Sequence, residues 1–252
     1  MNQHQLNQEI EEFIKRKDVL EEVYSPSDLA FINQYEGSGG QGGKGAKGEG
    51  VLYEYYTPEF ICNHMWELAR HHGFKAGESV LEPSCGTGRF FAGAPKASKL
   101  VGFEINETTA RIAELNYPEA TIHRGYFETA FLEPPRFTEK MRNGVSWLDE
   151  YPFGLVIGNP PYGKYKNMFS SYFPKPKVLQ IEIFFMYYGL LLLKSGGLLL
   201  YITSSGFLRN GNTYDQLKED LAKLCELIDA YRLPPVFASS PVPTDILVFR
   251  KK

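Results

Sequence analysis

Cysteine is scarce in this chain. Cys62, Cys85 and Cys225 are odd in number and far apart, so the sequence shows neither a disulfide framework nor a metal-ligand spacing. No metal is expected, and a reducing compartment, the cytoplasm, is the expected location. Charge of one sign is lacking too. The 27 basic and 30 acidic side chains leave a formal net charge of −3, which excludes a globally basic nucleic-acid binder and confines such contacts to local patches. A long uncharged apolar run is missing. The most apolar stretch, 181–202, contains Glu182 and is broken at Lys194-Ser195-Gly196-Gly197, so it reads as a helix followed by a strand rather than a membrane span. The start, Asn2-Gln3-His4-Gln5, is too polar for a signal peptide.

What is present is a regular alternation. Leu6, Ile10, Phe13, Ile14 and Leu20 give a one-sided helix over 6–23, and Ser27-Asp28 is the expected cap of a short second helix reaching Tyr35. Residues 37–50, "GSGGQGGKGAKGEG", lack the preceding strand and the Gly-Lys-Ser/Thr ending of a phosphate loop and read as a linker or lid. Thr57 is expected to cap a helix running to His72, with Pro58 at its first position. Strands follow at 79–82, 100–104, 120–123, 153–157, 198–203, 227–231 and 246–250, with helices from Arg89, over 107–115, 178–193 and 214–224 between them. Residues 125–150 read as irregular. The pattern implies an α/β, doubly wound sheet of seven strands, mostly parallel. The last strand follows its predecessor through only a loop and is expected to be antiparallel beside it. The organisation is then a helical segment (1–36), a Gly-rich linker or lid (37–50) and a catalytic domain (51–252).

Two stretches carry chemistry. In "SVLEPSCGTGRFF" a strand ends in Glu82, turns through Gly86 and Gly88, and starts a helix. The next strand, "LVGFEIN", ends in Glu104. Acids that end successive strands around glycines suit a ligand with a ribose and a cationic group. Glu82 would repel a diphosphate, and Phe91 stands where a dinucleotide motif needs its third glycine. S-adenosylmethionine, with a ribose, an ammonium, a sulfonium and no phosphate, fits. In "LVIGNPPYGKY" a buried strand runs into Asn159, Pro160, Pro161 and Tyr162. Neither proline donates to a ladder. The Asn159 side-chain oxygen and the Pro160 carbonyl can accept the two hydrogens of an amino group on an aromatic ring, Tyr162 can stack on that ring, and the prolines fix the carbonyl direction in advance.

On these residues the sequence resembles the S-adenosylmethionine-dependent adenine-N6 DNA methyltransferases in which the cofactor motif precedes the Asn-Pro-Pro-Tyr motif. "EPSCGTG" (82–88), Glu104, "NPPY" (159–162), "YYTPEFICNHMWEL" (55–68), "LLLLKSGGLLLYITSSGFL" (190–208) and "PVFASSPVPTDILVFRK" (235–251) follow the family order over about residues 51–252. The resemblance implies a Rossmann-like methyltransferase fold. It implies a cofactor site at Tyr56, Thr57, Glu82, Pro83, Ser84, Cys85, Gly86, Gly88, Glu104, Ile105, Tyr126, Phe127 and Asn159. It further implies catalysis by Asn159, Pro160, Pro161 and Tyr162, with an adenine flipped between Tyr162 and Phe237. The third motif departs from the family: "GYFE" puts Tyr126 where an Asp usually binds the cofactor's adenine, so either Glu128 substitutes or that contact is lost. A target-recognition domain is not evident, so the expected partners are DNA and a specificity subunit or a further C-terminal region. The first helices and the Gly-rich segment resemble the start of large methylase-helicase polypeptides of phages and mobile elements.

A basic, aromatic run follows the second site: Lys164, Lys166, Lys175 and Lys177 with Tyr165, Phe169, Tyr172 and Phe173 between them, suited to an extruded nucleotide or, equally, to a solvated loop. Cys85 reads as a small filler, and His64, His71 and His72 as surface or core residues. Two other readings stay open: methylation of a protein glutamine or ribosomal RNA with the same geometry, and a binding subunit without activity.

Overall fold

The computed structural model describes residues 2–36, 56–132, 151–166, 168–173, 178–209, 215–235 and 243–252. One seven-stranded sheet organises them, in the order β3-β2-β1-β4-β5-β7-β6. Its strands are β1 (Val80–Glu82), β2 (Leu100–Glu104), β3 (Thr121–Arg124), β4 (Phe153–Gly158), β5 (Leu193–Ser204), β6 (Cys225–Arg232) and β7 (Thr244–Lys251). The β1–β2, β2–β3, β1–β4 and β4–β5 pairs are parallel, and β7 lies antiparallel between β5 and β6. The doubly wound sheet and its inserted last strand are as the alternation implies. The chain leaves β1 towards β2 and β3 and then returns to β4 on the other side, so the order reverses between β1 and β4. In open α/β sheets, ligands bind at the carboxyl ends of the strands beside such a reversal.

Both faces of the sheet are covered, which is why β4 and residues 198–202 of β5 read as nearly continuous apolar runs. Leu81, Val156, Leu199 and Tyr201 pack under α5 (Ile181–Leu192); Val80, Leu155, Ile157 and Leu200 pack under α3 (Glu59–His71). A third cluster joins the amino-terminal helices, α1 (Gln3–Val19) and α2 (Pro26–Ile32), to α4 (Glu107–Asn116) through Ile10, Ile14, Ile32 and Ile112. Helix α6 (Asp215–Leu224) packs beside α5.

Several local expectations change. Ser25, not Ser27-Asp28, caps α2, in a reciprocal capping box with Asp28. Pro58 is extended and is itself the cap of α3; Thr57 makes no capping bond and is buried. The turn after the glycine loop that follows β1 is a short 3-10 helix, Arg89–Gly93, stopped by Gly93 and Pro95, in place of an α-helix. Helix α5 begins at Ile181, where Gln180 is already extended. Strand β5 begins at Leu193, because a register shift opposite Phe153–Leu155 absorbs Lys194–Gly197 and Gly196 takes a positive φ of 76°. The Gly-rich stretch 37–50, Tyr55, most of 125–150, Lys175, Lys177 and Phe237 lie outside the described residues.

Candidate active site

The loop after β1 is built on two glycines. Gly86 and Gly88 have φ values of 53° and 82°, which L side chains rarely adopt. A Cβ on Gly86 would sit 3.0 Å from the Tyr56 ring, and one on Gly88 2.8 Å from the Tyr117 ring. Between them the loop is tied to β2. The Cys85 N–H donates to the Phe103 carbonyl (2.9 Å), and the Gly86 N–H donates to Oε2 of Glu104 (2.8 Å). The other Glu104 oxygen accepts from the Asn106 N–H (2.7 Å), and the Asn106 side chain in turn caps α4. Glu104 therefore clamps the glycine loop to the start of the helix beyond β2. Cys85 is buried against Gly102, and burial together with the Glu82 and Glu104 charges pushes its thiol pKa well up, so it is packing and not a nucleophile.

Glu82 ends β1 with only 2% of its surface exposed. One of its oxygens has no hydrogen-bond partner among the described residues. Burial, with a smaller contribution from the Glu104 charge, pushes its carboxyl well above the usual range. An orphaned buried carboxylate is costly, and a cation that reaches it relieves that cost. It lies at the seam between the two loops: a Cβ on Gly158, the last residue of β4, would be 3.4 Å from its Cγ.

The second loop begins one residue after Gly158. The Ser84 hydroxyl, from the first loop, donates to the Asn159 carbonyl at 3.5 Å. The Tyr162 hydroxyl donates to the Asn159 side-chain oxygen. Burial, and then the Glu182 charge, raises the Tyr162 hydroxyl pKa well above its ordinary value, so it remains a donor. Pro160 is buried, and Asn159, Pro161 and Tyr162 are half-buried. The far end of the loop is pinned to α5. The Gly163 N–H donates to Glu182 (3.2 Å), the Ile181 N–H to the Gly163 carbonyl (2.8 Å), and the Tyr165 ring stacks on Phe184 at 4.8 Å. The positioning role of Glu182 is a feature that sequence reasoning missed. Its signal was one acid in the first turn of an otherwise apolar helix.

The remaining candidates divide. The half-buried Tyr56 covers Gly86 and lies under the Arg89 guanidinium, 4.9 Å from its ring centre; the Thr57 carbonyl accepts from Arg89 (3.4 Å). Ile105 is exposed beside Glu104, and Pro83 and Ser84 form the turn that opens the first loop. Tyr126 is half-buried and packs edge-on against Phe169. Phe127 is 1% exposed within the aromatic core, so its side chain is core packing. Glu128 is turned inward, where its carboxylate faces the Tyr165 hydroxyl and raises that hydroxyl's pKa after burial. Lys164 and Lys166 are exposed just past the second loop. Among the described residues, no group of three or more His, Cys, Asp or Glu is placed to hold a metal ion, and no helix is long and apolar enough to cross a membrane.

A sheet of this order, with a glycine loop after β1 and an acid at the end of β2, has the fold of class I S-adenosylmethionine-dependent methyltransferases. The chain belongs to the N-6 DNA methylase family, whose model matches residues 40–252. It is 29% identical over 220 residues to the Defense against restriction protein B of Escherichia phage P1, covering 86% of this chain and 9% of that protein. It is 27% identical over 111 residues to the Type II methyltransferase M.CvrRI of Paramecium bursaria Chlorella virus XZ-6E, covering 43% of this chain and 24% of that one. Among solved structures, the methyltransferase subunit of a type I restriction-modification system from Streptococcus thermophilus superposes with a TM-score of 0.64 at 20% identity, over 79% of this chain and 45% of that one. The chain thus spans less than a quarter of the length of both curated relatives.

Proposed function

We propose that this domain methylates the N6 amino group of adenine in DNA, with S-adenosylmethionine as the methyl donor. The observation that carries the reading is the juxtaposition of the two loops at the sheet's reversal point: Asn159 directly follows Gly158, where a Cβ would meet the Glu82 side chain, and Ser84 bonds the Asn159 carbonyl. The residues fit the cofactor. The unpartnered Glu82 carboxylate oxygen suits a cationic group, the Gly86–Gly88 cradle admits a ligand against the backbone, and Glu104 stands at the adjoining strand end, where an acid suits ribose hydroxyls. When bound, S-adenosylmethionine supplies an electrophilic methyl group.

The chain's own residues prepare the nucleophile. An aromatic amine is weakly nucleophilic because its lone pair is shared with the ring. An amide oxygen accepts two hydrogen bonds, so Asn159 can hold the Tyr162 hydroxyl and one amine hydrogen together. The Pro160 carbonyl takes the second hydrogen, which favours a pyramidal nitrogen with a localised lone pair. These acceptors are fixed before the substrate arrives. A strong base is unnecessary, because the nitrogen becomes acidic once alkylated and its proton passes to water. The base must leave the duplex to reach this loop. Tyr162 stacks on it, Phe237 is the second stacking residue that the family resemblance implies, and Lys164 and Lys166 meet the neighbouring phosphates. Sequence selection belongs to a specificity subunit or a recognition region beyond these residues.

The test is product identification. Unmethylated plasmid DNA is incubated with tritiated S-adenosylmethionine, hydrolysed and separated. Label in N6-methyladenine is expected. Label confined to cytosine, or to protein or RNA supplied in parallel, overturns the reading, and no label in any substrate favours a binding subunit.

A further inference from the structure

The carboxyl edge of the sheet extends past Asn159 onto three more strands. Gly158 pairs with Tyr201, Thr203 with Asp245, and Asp245 with Arg232. Carrying the β4–β5 register forward two residues puts Pro160, Thr203, Asp245 and Arg232 in one row. With strands about 4.8 Å apart, Arg232 stands roughly 14 Å from the catalytic loop. Directly paired residues point to the same face. Here that is the face of Tyr201 and Leu247, on which Tyr165 anchors the loop carrying Lys164 and Lys166.

Asp245 is 1% exposed, whereas the Arg232 side chain is 58% exposed. Arg232 donates through Nε to Oδ1 of Asp245. Among the described residues the second Asp245 oxygen has no hydrogen-bond partner, and neither does the buried Thr203 hydroxyl beside it. A carboxylate withdrawn from water is poorly compensated by one contact to a half-exposed cation, so the pair is a weak source of stability. What it supplies is direction. Gripped through Nε, the planar guanidinium is held at a fixed angle, and its two terminal nitrogens have no partner among the described residues. Such a fork matches two oxygens of a phosphate.

We infer that Arg232, oriented by the buried Asp245, is a phosphodiester contact that extends the nucleic-acid footprint from Lys164 and Lys166 across the carboxyl edge to β6. The inference rests on the DNA reading above and assigns a second anchor to the strand carrying the target base. Contacts of this kind set register on the nucleic acid without reading its sequence.

The experiment follows binding of a short unmethylated duplex, and its methylation, over a range of salt concentrations, for the whole chain and for Arg232→Gln, Arg232→Lys and Asp245→Asn. Losing one phosphate contact should flatten the plot of log K against log salt by about 0.9 in Arg232→Gln and raise KM for DNA several-fold. Its saturating rate and its affinity for S-adenosylmethionine should stay close to wild type, because the Gln amide still has a donor for the buried Asp245 and the position lies roughly 14 Å from the Asn159 loop. Arg232→Lys and Asp245→Asn should keep the slope, since the charge remains, but raise KM, since the aim is lost. An unchanged slope and KM in Arg232→Gln, with wild type still methylating DNA, overturns the inference and leaves the DNA reading standing. Loss of cofactor affinity in the Arg232 variants makes the pair structural and also overturns it. A wild type that neither binds nor methylates the duplex removes both.

Discussion

The Tyr162 hydroxyl donates to the Asn159 side-chain oxygen three residues back, so the aromatic end of the Asn-Pro-Pro-Tyr loop holds the amide at its beginning. A phenol that donates faces the amide through its oxygen, the acceptor that the proposed amine substrate would require. Tyr162→Phe keeps the ring and removes this bond. The expected cost is about 0.5–1.5 kcal/mol in the transition state, or roughly two- to tenfold in kcat. Tyr162→Ala also removes the stacking face and should weaken capture of an extruded base by about 1–3 kcal/mol. A fluorescent adenine analogue at the target position separates the two, since its response should survive in Tyr162→Phe and fall in Tyr162→Ala.

Glu82 gives a pH dependence with a definite sign. Its carboxyl pKa is raised in the folded, cofactor-free domain, by burial first and Glu104 second. A raised carboxyl pKa contributes stability below the unfolded value, and that contribution is lost as pH rises through the folded value. Glu82→Gln should therefore raise Tm at neutral and alkaline pH. Binding a cationic ligand needs the ionised form, so wild-type affinity for S-adenosylmethionine should increase with pH through the raised pKa, with protons released on binding. The Gln variant should bind about 1–3 kcal/mol more weakly and without that pH trend. Calorimetry in two buffers of different ionisation heat measures the protons. Equal proton release by wild type and variant would exclude Glu82 as their source.

Much of this arrangement was legible in the sequence, because the fold is set by alternation and by acids at strand ends. Glu82 and Glu104 end β1 and β2 as their positions imply, and "NPPY" stands at the end of β4. The departures have local causes. Thr57 is adjacent to a helix that starts at Glu59 because Pro58 is extended, and a register shift carries Lys194–Gly197 into β5. Less legible were contacts between distant segments. Glu182 reaching Gly163, Ser84 reaching Asn159, and Glu128 turned towards Tyr165 depend on how loops lie over the sheet, and no periodicity encodes that. Phe127 shows the reverse: a motif position can be filled by a side chain that the core has taken.

Glu104 joins two backbone N–H groups on different loops. Glu104→Ala should weaken S-adenosylmethionine binding by about 1–3 kcal/mol through lost charge-assisted hydrogen bonds. It should also speed amide exchange at Gly86 and Asn106, which a purely ligand-facing acid would leave unchanged. Exchange measured without cofactor makes the distinction.

The amino-terminal helices rest on α4 through Ile112, which is fully buried, and through the Asp18–Arg111 pair. Ile112→Ala should destabilise the domain by about 2–5 kcal/mol. The half-exposed ion pair should contribute less than about 1 kcal/mol and weaken with salt. The half-buried Tyr56 packs against the same cluster and connects these helices to Gly86, so Ile112→Ala should also lower cofactor affinity. Urea titration with and without S-adenosylmethionine measures both effects. A variant destabilised as expected but with wild-type affinity would show that the helices do not shape the site.

The proposed methyl transfer depends on Asn159 gripping the target amine. The direct measurement is single-turnover methyl transfer into adenine-unmethylated DNA by wild type and Asn159→Ala, with S-adenosylmethionine affinity measured on the same preparations. Removing one preorganised transition-state partner should slow transfer on the order of a hundred- to a thousandfold, while cofactor affinity stays nearly intact. Transfer by Asn159→Ala at the wild-type rate would contradict the account.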